Sequence, residues 1–413
     1  MPSTLPDGEP VPPSGALPET AIATVAGTPL SFYLHVPFCT TRCGYCDFNT
    51  YTASELGTAP GASRVGYADE AIAEIDLARR VLGDDAPAVD TVFVGGGTPT
   101  LLPADDLGRM LAAIRSRFGL TADAEITTES NPESVDQAGL DRLVQHGFNR
   151  ISFGMQSVRQ HVLAVLDRVH TPGRPQQAVA EARRAGFGEI SLDLIYGTPG
   201  ESLDDWRASL EAALAAEPDH LSAYSLIVEP GTRLAMRIRR GELPMTDEDD
   251  LADKYELAES LLTDAGYRNY EISNWAKDIH RATGEITDAR CRHNLAYWKG
   301  YNWWGVGPGA HSHVGGVRWW NVKHPAAYAG RIDQGQSPAY ARELLAEEDR
   351  RVERVLLELR LDTGLELAVL TDRERERLPD LIARGMVSVR NEHVVLTRDG
   401  RLLADGIVRD LLD

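Results

Sequence analysis

Apolar, β-branched runs that alternate with Ala-, Leu- and Arg-rich stretches predict an α/β protein, a partial (β/α)6 TIM-like barrel with a C-terminal winged-helix-like α+β domain. Three observations carry that expectation. Six strand–helix units fit into about 200 residues, too few for a closed eight-stranded barrel. The unusual polar residues stand at the ends of the strand runs, where barrel-like α/β folds collect their chemistry. Beyond about Pro230 the rhythm stops and the composition changes.

Taken in order, residues 1–30 carry Pro2, Pro6, Pro10, Pro12, Pro13 and Pro18 with few large apolar side chains, and read as a disordered tail. Residues 31–245 form the barrel. Its strands are expected at Phe32–Val36, Thr91–Val94, Glu125–Glu129, Arg150–Met155, Glu189–Tyr196 and Leu221–Val228. Between them Tyr67–Leu82, Ala104–Phe118, Glu133–His146, Pro175–Ala185 and Leu203–Ala216 have helical patterns, giving right-handed βαβ units around a parallel sheet. Residues 246–340 begin with a helix, Asp247–Ala265, whose acidic first turn suits the helix dipole. A tract dense in Trp, Tyr, His and Gly follows. Residues 341–413 read as a small separate unit: helices at Arg350–Leu361 and Leu378–Arg384, Gly385 as C-cap, a hairpin of Val387–Val389 with Val394–Thr397, and a final helix Arg398–Leu411. Two helices, a wing-like hairpin and a helix resemble a winged-helix module.

With 62 acidic against 42 basic residues the formal net charge is −20. Such a surface repels phosphate backbones and anionic lipid, so no nucleic-acid partner is expected, and the terminal module is assigned a packing or lid role rather than DNA binding. No apolar run approaches the roughly 18 residues of a membrane span. No Lys or Arg precedes Arg42, so a secretory signal is not expected and the chain reads as cytoplasmic.

Four cysteines in 413 residues make no disulfide framework, but Cys39, Cys43 and Cys46 fall within eight residues while Cys291 stands alone. A structural zinc site needs four closed ligands, and no second pair exists. Three thiolates from one loop suit a 4Fe–4S cluster that leaves one iron without a protein ligand.

Cys-x3-Cys-x2-Cys with Tyr45 before the last Cys resembles the signature of the radical S-adenosylmethionine family. That resemblance implies a methionyl group chelating the open iron and a reduced cluster that cleaves the sulfonium to a 5′-deoxyadenosyl radical. Gly95-Gly96-Gly97-Thr98-Pro99, after the second strand, resembles the family's methionine-amine loop; taken alone it is equally a tight βα turn. Within the subgroup of oxygen-independent coproporphyrinogen III oxidases, Glu129 matches a carboxylate for the ribose hydroxyls. Gln156, Arg168 and Asp193 match further S-adenosylmethionine contacts, as do Tyr33, Tyr45, Gly97 and Thr98. Each alone could be strand-end polarity.

The sequence departs from the oxidase where that enzyme has a further Cys two residues after the third; here Phe48 stands there. It also lacks the oxidase's longer N-terminal extension. Both departures resemble the HemW group, whose members bind heme and deliver it to respiratory heme proteins. Arg292-His293-Asn294-Leu295-Ala296-Tyr297-Trp298 resembles that group's HNxxYW heme motif, which implies heme contacts at His293, Asn294, Tyr297 and Trp298. A neutral imidazole can ligate heme iron, and Tyr and Trp offer flat area to a macrocycle. From residue types alone a core aromatic cluster, with His293 and Asn294 hydrogen-bonded to backbone, is the simpler assignment, and the resemblance reverses that preference. His311 and His313 are candidate secondary ligands with a structural role the simpler assignment. The expected reading is a heme carrier holding a 4Fe–4S cluster and S-adenosylmethionine. Its acceptor is expected to be membrane-associated, reached at the inner face of the membrane through protein contacts, and its reductant a flavodoxin or ferredoxin. The alternative is a radical oxidase acting on coproporphyrinogen III.

Overall fold

A computed structural model of the chain describes residues 7–57, 63–280 and 286–412. Six parallel strands run in sequence order: β1 (Leu30–Val36), β2 (Val89–Gly96), β3 (Leu120–Ser130), β4 (Arg150–Gln156), β5 (Glu189–Tyr196) and β6 (His220–Ser225). Helices Tyr67–Leu82, Ala104–Phe118, Gln137–His146, Arg174–Ala185 and Leu203–Leu214 connect them, the partial barrel expected from the rhythm.

The strands alternate more sharply than a parallel sheet covered on both faces usually does. Phe32, Leu34, Val92, Val94, Ile126, Ile151, Phe153, Leu192, Leu194 and Leu221 are buried in one continuous core with residues of the connecting helices. The intervening positions are mostly polar, Phe93 being an exception. Ser31 lies opposite Thr91, Tyr33 opposite Phe93, Thr91 opposite Glu125, Glu129 opposite Ser152, Ser152 opposite Ser191, and Asp193 opposite Ser222. The two-residue side-chain period therefore gives the barrel an apolar outer face and a polar lumen.

The sheet does not end with the sixth strand. β7 (Arg268–Glu271) and β8 (Asn274–Ala276) extend it beyond β6, and a hairpin of β9 (Asp278–His280) and β10 (Ile286–Asp288) lies apart. On the other side β11 (Asn302–Val306) pairs parallel with β1 and is followed by antiparallel β12 (His311–Val314), β13 (Val317–Asn321) and β14 (Ala339–Leu344). The change of composition near residue 245 thus marks a change of sequence style inside one twelve-stranded sheet.

Two expectations need correction. Residues 7–29 of the Pro-rich segment are not a free tail, and residues 1–6 lie outside the described residues. Glu9 pairs with Arg342 on the edge strand β14 through both backbone hydrogen bonds (2.7 and 2.9 Å), and Ala21 and Val25 are buried. Prolines hold the backbone extended, so ordering it costs little, and the edge strand supplies unpaired donors and acceptors. The expected final helix breaks at Leu403 into Arg398–Leu402 and Ala404–Leu412. Gly400 packs against the Met386 carbonyl so closely that a Cβ there would lie 2.0 Å from the oxygen.

The terminal unit has its own core and a three-stranded sheet of β15 (Leu365–Glu366), β17 (His393–Leu396) and β16 (Val387–Arg390). It leans on the barrel through Ile272 in its core, the Asp362 N–H to the Tyr270 carbonyl (2.9 Å) and Arg401–Glu259 (3.0 Å). No helix among the described residues is long and apolar enough to cross a membrane.

Candidate functional site

The mouth of the barrel, at the carboxyl ends of the strands, gathers the first group of expected residues. The cysteine loop leaves β1 and is pinned at both ends: the Cys39 N–H donates to the Tyr51 carbonyl (3.0 Å), and the Gly44 N–H to that of Leu166 (3.0 Å). The Gly97 and Thr98 N–H groups donate to the Val36 and Phe38 carbonyls (both 2.8 Å). A Cβ on Gly97 would lie 2.5 Å from the Phe38 oxygen and 2.9 Å from Cys39 Sγ, so the loop has room only for glycine there.

All three thiols are half-buried and free. Burial pushes the Cys46 thiol up to about 11 and raises that of Cys39, so thiolates here call for a cationic partner. Arg168 is one, with Nη1 3.4 Å from Cys43 Sγ and Nη2 donating to the Gly154 carbonyl (3.1 Å). No three His, Cys, Asp or Glu side chains among the described residues converge on a single ion position. Thiolates that each bind a different iron of a cubane need not converge, so this donor set fits a 4Fe–4S cluster better than a lone metal ion.

Glu129 and Asp193 lie deeper. Glu129 Oε2 accepts the Gly96 N–H (3.0 Å), tying the glycine loop to β3, and Asp193 accepts from Ser152 Oγ (2.9 Å). Burial, with the Asp193 charge adding to it, pushes the Glu129 carboxyl up to about 8; burial likewise raises that of Asp193. A shift of register between Gly154 and Gln156 bulges β4, and Gln156 takes φ +63°. Its Oε1 is buried without a hydrogen-bond partner. Backbone strain and an unpaired buried acceptor coincide there at a strand end, which makes Gln156 a candidate binding position. Tyr45 packs with Val162, Leu166 and Leu234 beside the cysteine loop.

The second group lies at the opposite end of the lumen. Helix Arg292–Trp298 plugs the barrel floor, its first N–H groups capped by Glu125: Arg292 N to Oε2 (2.9 Å) and His293 N to Oε1 (3.0 Å). His293 is 2% exposed, stacks on Phe93 (5.2 Å) and faces Tyr33 (6.5 Å). Burial lowers its pKa to about 3, so the ring is neutral. The Thr91 hydroxyl donates to Ser31 Oγ (2.8 Å) and therefore accepts from His293 Nδ1–H (2.7 Å). That leaves the lone pair on Nε2, which accepts from the Tyr297 hydroxyl (2.9 Å). Asn294 Nδ2 donates to Glu271 Oε1 (2.9 Å), and Tyr297 and Trp298 are half-buried.

Tyr33 belongs to both ends. Its hydroxyl donates to His35 Nδ1 (2.9 Å), whose Nε2–H donates to the Asn49 carbonyl just beyond the cysteines (2.9 Å). His311 and His313 instead pack against Trp320 and Trp303, and His313 Nδ1 donates to the Tyr301 carbonyl (3.0 Å). The motifs do not reveal Ser31, Thr91, Phe93, Glu125 and Arg150. Their signal is the polar alternation within strands that should be apolar.

The family model of the Radical SAM superfamily matches residues 33–213. A heme chaperone HemW from Mycobacterium tuberculosis is 50% identical over 391 residues, 95% of this chain and 97% of that protein. Heme chaperone HemW from Escherichia coli is 34% identical, covering 92% and 97%. Among solved structures, coproporphyrinogen III oxidase (HemN) from Escherichia coli, a radical SAM enzyme, superposes with a TM-score of 0.77 at 25% identity, covering 95% of this chain and 92% of that one. Cysteine loop, glycine loop, floor helix and whole-length similarity converge: this chain belongs to the HemW heme chaperone family of the radical SAM superfamily.

Proposed function

We propose that the protein binds heme and passes it to a heme-accepting respiratory protein, with a 4Fe–4S cluster on Cys39, Cys43 and Cys46 and S-adenosylmethionine at the mouth. The whole-length match to heme chaperones carries this reading. When bound, the cluster and the sulfonium nucleotide supply low-potential electron transfer to a cleavable C–S bond. The chain's own residues have definable tasks. Gly97 and Thr98 hold the glycine loop close against the cysteine loop, Glu129 and Asp193 offer carboxylates to hydroxyls, Gln156 offers its free acceptor, and Arg168 balances thiolate charge. At the floor, His293 is held in the tautomer whose Nε2 lone pair suits iron, with Tyr297, Trp298 and Asn294 lining its approach.

Heme titration of purified protein tests this. His293→Ala is expected to weaken heme binding and shift the Soret band; an unchanged spectrum and affinity remove His293 as a ligand. Turnover of coproporphyrinogen III by reconstituted, reduced protein would instead favour the oxidase reading, against which Phe48, 58% exposed where the oxidase has Cys, already stands. The acceptor is reached by a soluble carrier in the cytoplasm through protein contacts at the membrane, and the cluster needs an outside one-electron donor.

A further inference from the structure

Helix Arg233–Arg239 is a basic island on an acidic molecule. Arg233, Arg237, Arg239 and Arg240 occupy eight residues, and no carboxylate falls between Pro230 and Gly241, in a chain of net charge −20. The helix is fastened to the cysteine loop itself. The Leu234 N–H donates to the Gly44 carbonyl (2.8 Å), one residue from Cys43, and Leu234 is buried with Leu166, Ile195 and Leu226. Outward it walls a concave surface of about 480 Å³ formed by Arg233, Met236, Arg237 and Arg240. Asp167 and Glu242 line it too and form ion pairs with its three arginines, Asp167 with Arg233 (3.5 Å) and Glu242 with Arg237 (3.7 Å) and Arg240 (3.8 Å), so the concavity keeps an excess of positive over negative side chains. Arg233 and Arg240 remain 69% and 70% exposed.

We infer that this face is the docking surface for the reductant, an acidic protein carrying a one-electron flavin or iron–sulfur centre. The inference rests on the cluster reading of the cysteine loop and goes beyond it by placing the donor. An acidic donor is repelled by most of this surface, so productive encounter needs a local patch of opposite sign. Screening confines that attraction to about 8–10 Å, so the patch must lie beside the group to be reduced, as this helix does. Charged walls and an open mouth give a macrocycle no apolar bed, which argues against heme carboxylates as occupant. Nucleic acid would meet the repulsion of the remaining acidic surface.

The test uses the full chain and Escherichia coli-type flavodoxin as probe. In Arg233→Glu/Arg240→Glu, reduction of the reconstituted cluster by reduced flavodoxin is expected to slow at least tenfold at low salt and to lose its salt dependence. Reduction by dithionite should be unchanged, and Arg233→Lys/Arg240→Lys should retain the flavodoxin rate. Flavodoxin binding to cluster-free protein, followed by fluorescence anisotropy at two salt concentrations, should weaken in parallel. An unchanged flavodoxin rate overturns the assignment. So does equal slowing by dithionite, which would mark a structural role, or loss of heme affinity alone, which would mark a heme-carboxylate site. If the wild-type chain takes up no cluster, the cofactor reading fails, and the anisotropy measurement still decides the surface.

Discussion

The two ends of the barrel lumen are built on opposite principles. At the mouth, functional groups are held by backbone hydrogen bonds and left partly unsatisfied: three free thiols, an unpaired Gln156 Oε1 and a carboxyl at Glu129 that burial pushes up to about 8. At the floor, the motif residues are satisfied almost completely, with both ring nitrogens of His293 bonded and its helix capped by Glu125. Unpaired buried polar groups are costly, and a fold retains them where a ligand will complete them. The mouth therefore keeps groups free, whereas a ligand at the floor would have to displace an internal partner.

If the ends are separable, damage at one should spare the other. The largest effect is expected from Cys43→Ala, which should reduce cluster iron from about four per chain to near zero on anaerobic reconstitution. Heme affinity at the floor should stay within about threefold. A parallel collapse of heme binding would show that the two ends are one site.

Glu125→Ala attacks the floor. It strips the cap from two helix N–H groups and takes a carboxylate from the surroundings of buried Arg150, which keeps Glu189 (2.5 Å) and the Ala289 carbonyl (2.9 Å). The expected loss is about 3 kcal/mol in urea unfolding. The cysteine loop touches none of these groups, so cluster assembly in the surviving folded protein should be intact. A change below about 1 kcal/mol would mean that the plug is not a stabilising element.

How much of this was legible in the sequence follows the same division. The mouth could be read because most of its groups sit at or just after a strand end, and local spacing alone brings Cys39, Cys43 and Cys46 together. The floor could be read only as the aromatic tract around His293. That Thr91 orients the imidazole across 202 residues of sequence depends on register between β1, β2 and a helix that lies beyond the change of composition near residue 245. Likewise the pairing of β11 with β1 is a long-range choice that composition does not encode. Residues 7–29 misled because proline content signals poor burial but also lowers the entropy cost of lying along an edge strand.

A smaller effect separates the ends by pH. The Glu129 carboxyl is raised from its ordinary 4.5 to about 8, so the folded protein holds a proton there that the unfolded chain releases. Below about pH 4.5 both states are protonated; between 4.5 and 8 the folded state binds more protons and stability falls as pH rises; above 8 the decline stops. The cofactor-free protein should lose on the order of 5 kcal/mol over that window, with Asp193 acting in the same direction. Glu129→Gln should flatten the profile of Tm against pH. An unchanged slope would place the titration elsewhere.

The smallest effect bears most directly on how the floor admits a ligand. Tyr297 donates to the same Nε2 that iron would need, so in the closed arrangement it competes with heme for one lone pair. Tyr297→Phe removes the competing donor while keeping most of the ring against Trp303 and the Thr91 bond that fixes the tautomer. A neutral hydrogen bond of this kind contributes about 1 kcal/mol, so heme affinity should rise by about fivefold if His293 is the ligand. If Tyr297 instead ligates iron itself, the same variant should weaken binding and shift the Soret band. The sign of one change therefore decides which residue of the floor helix faces the metal.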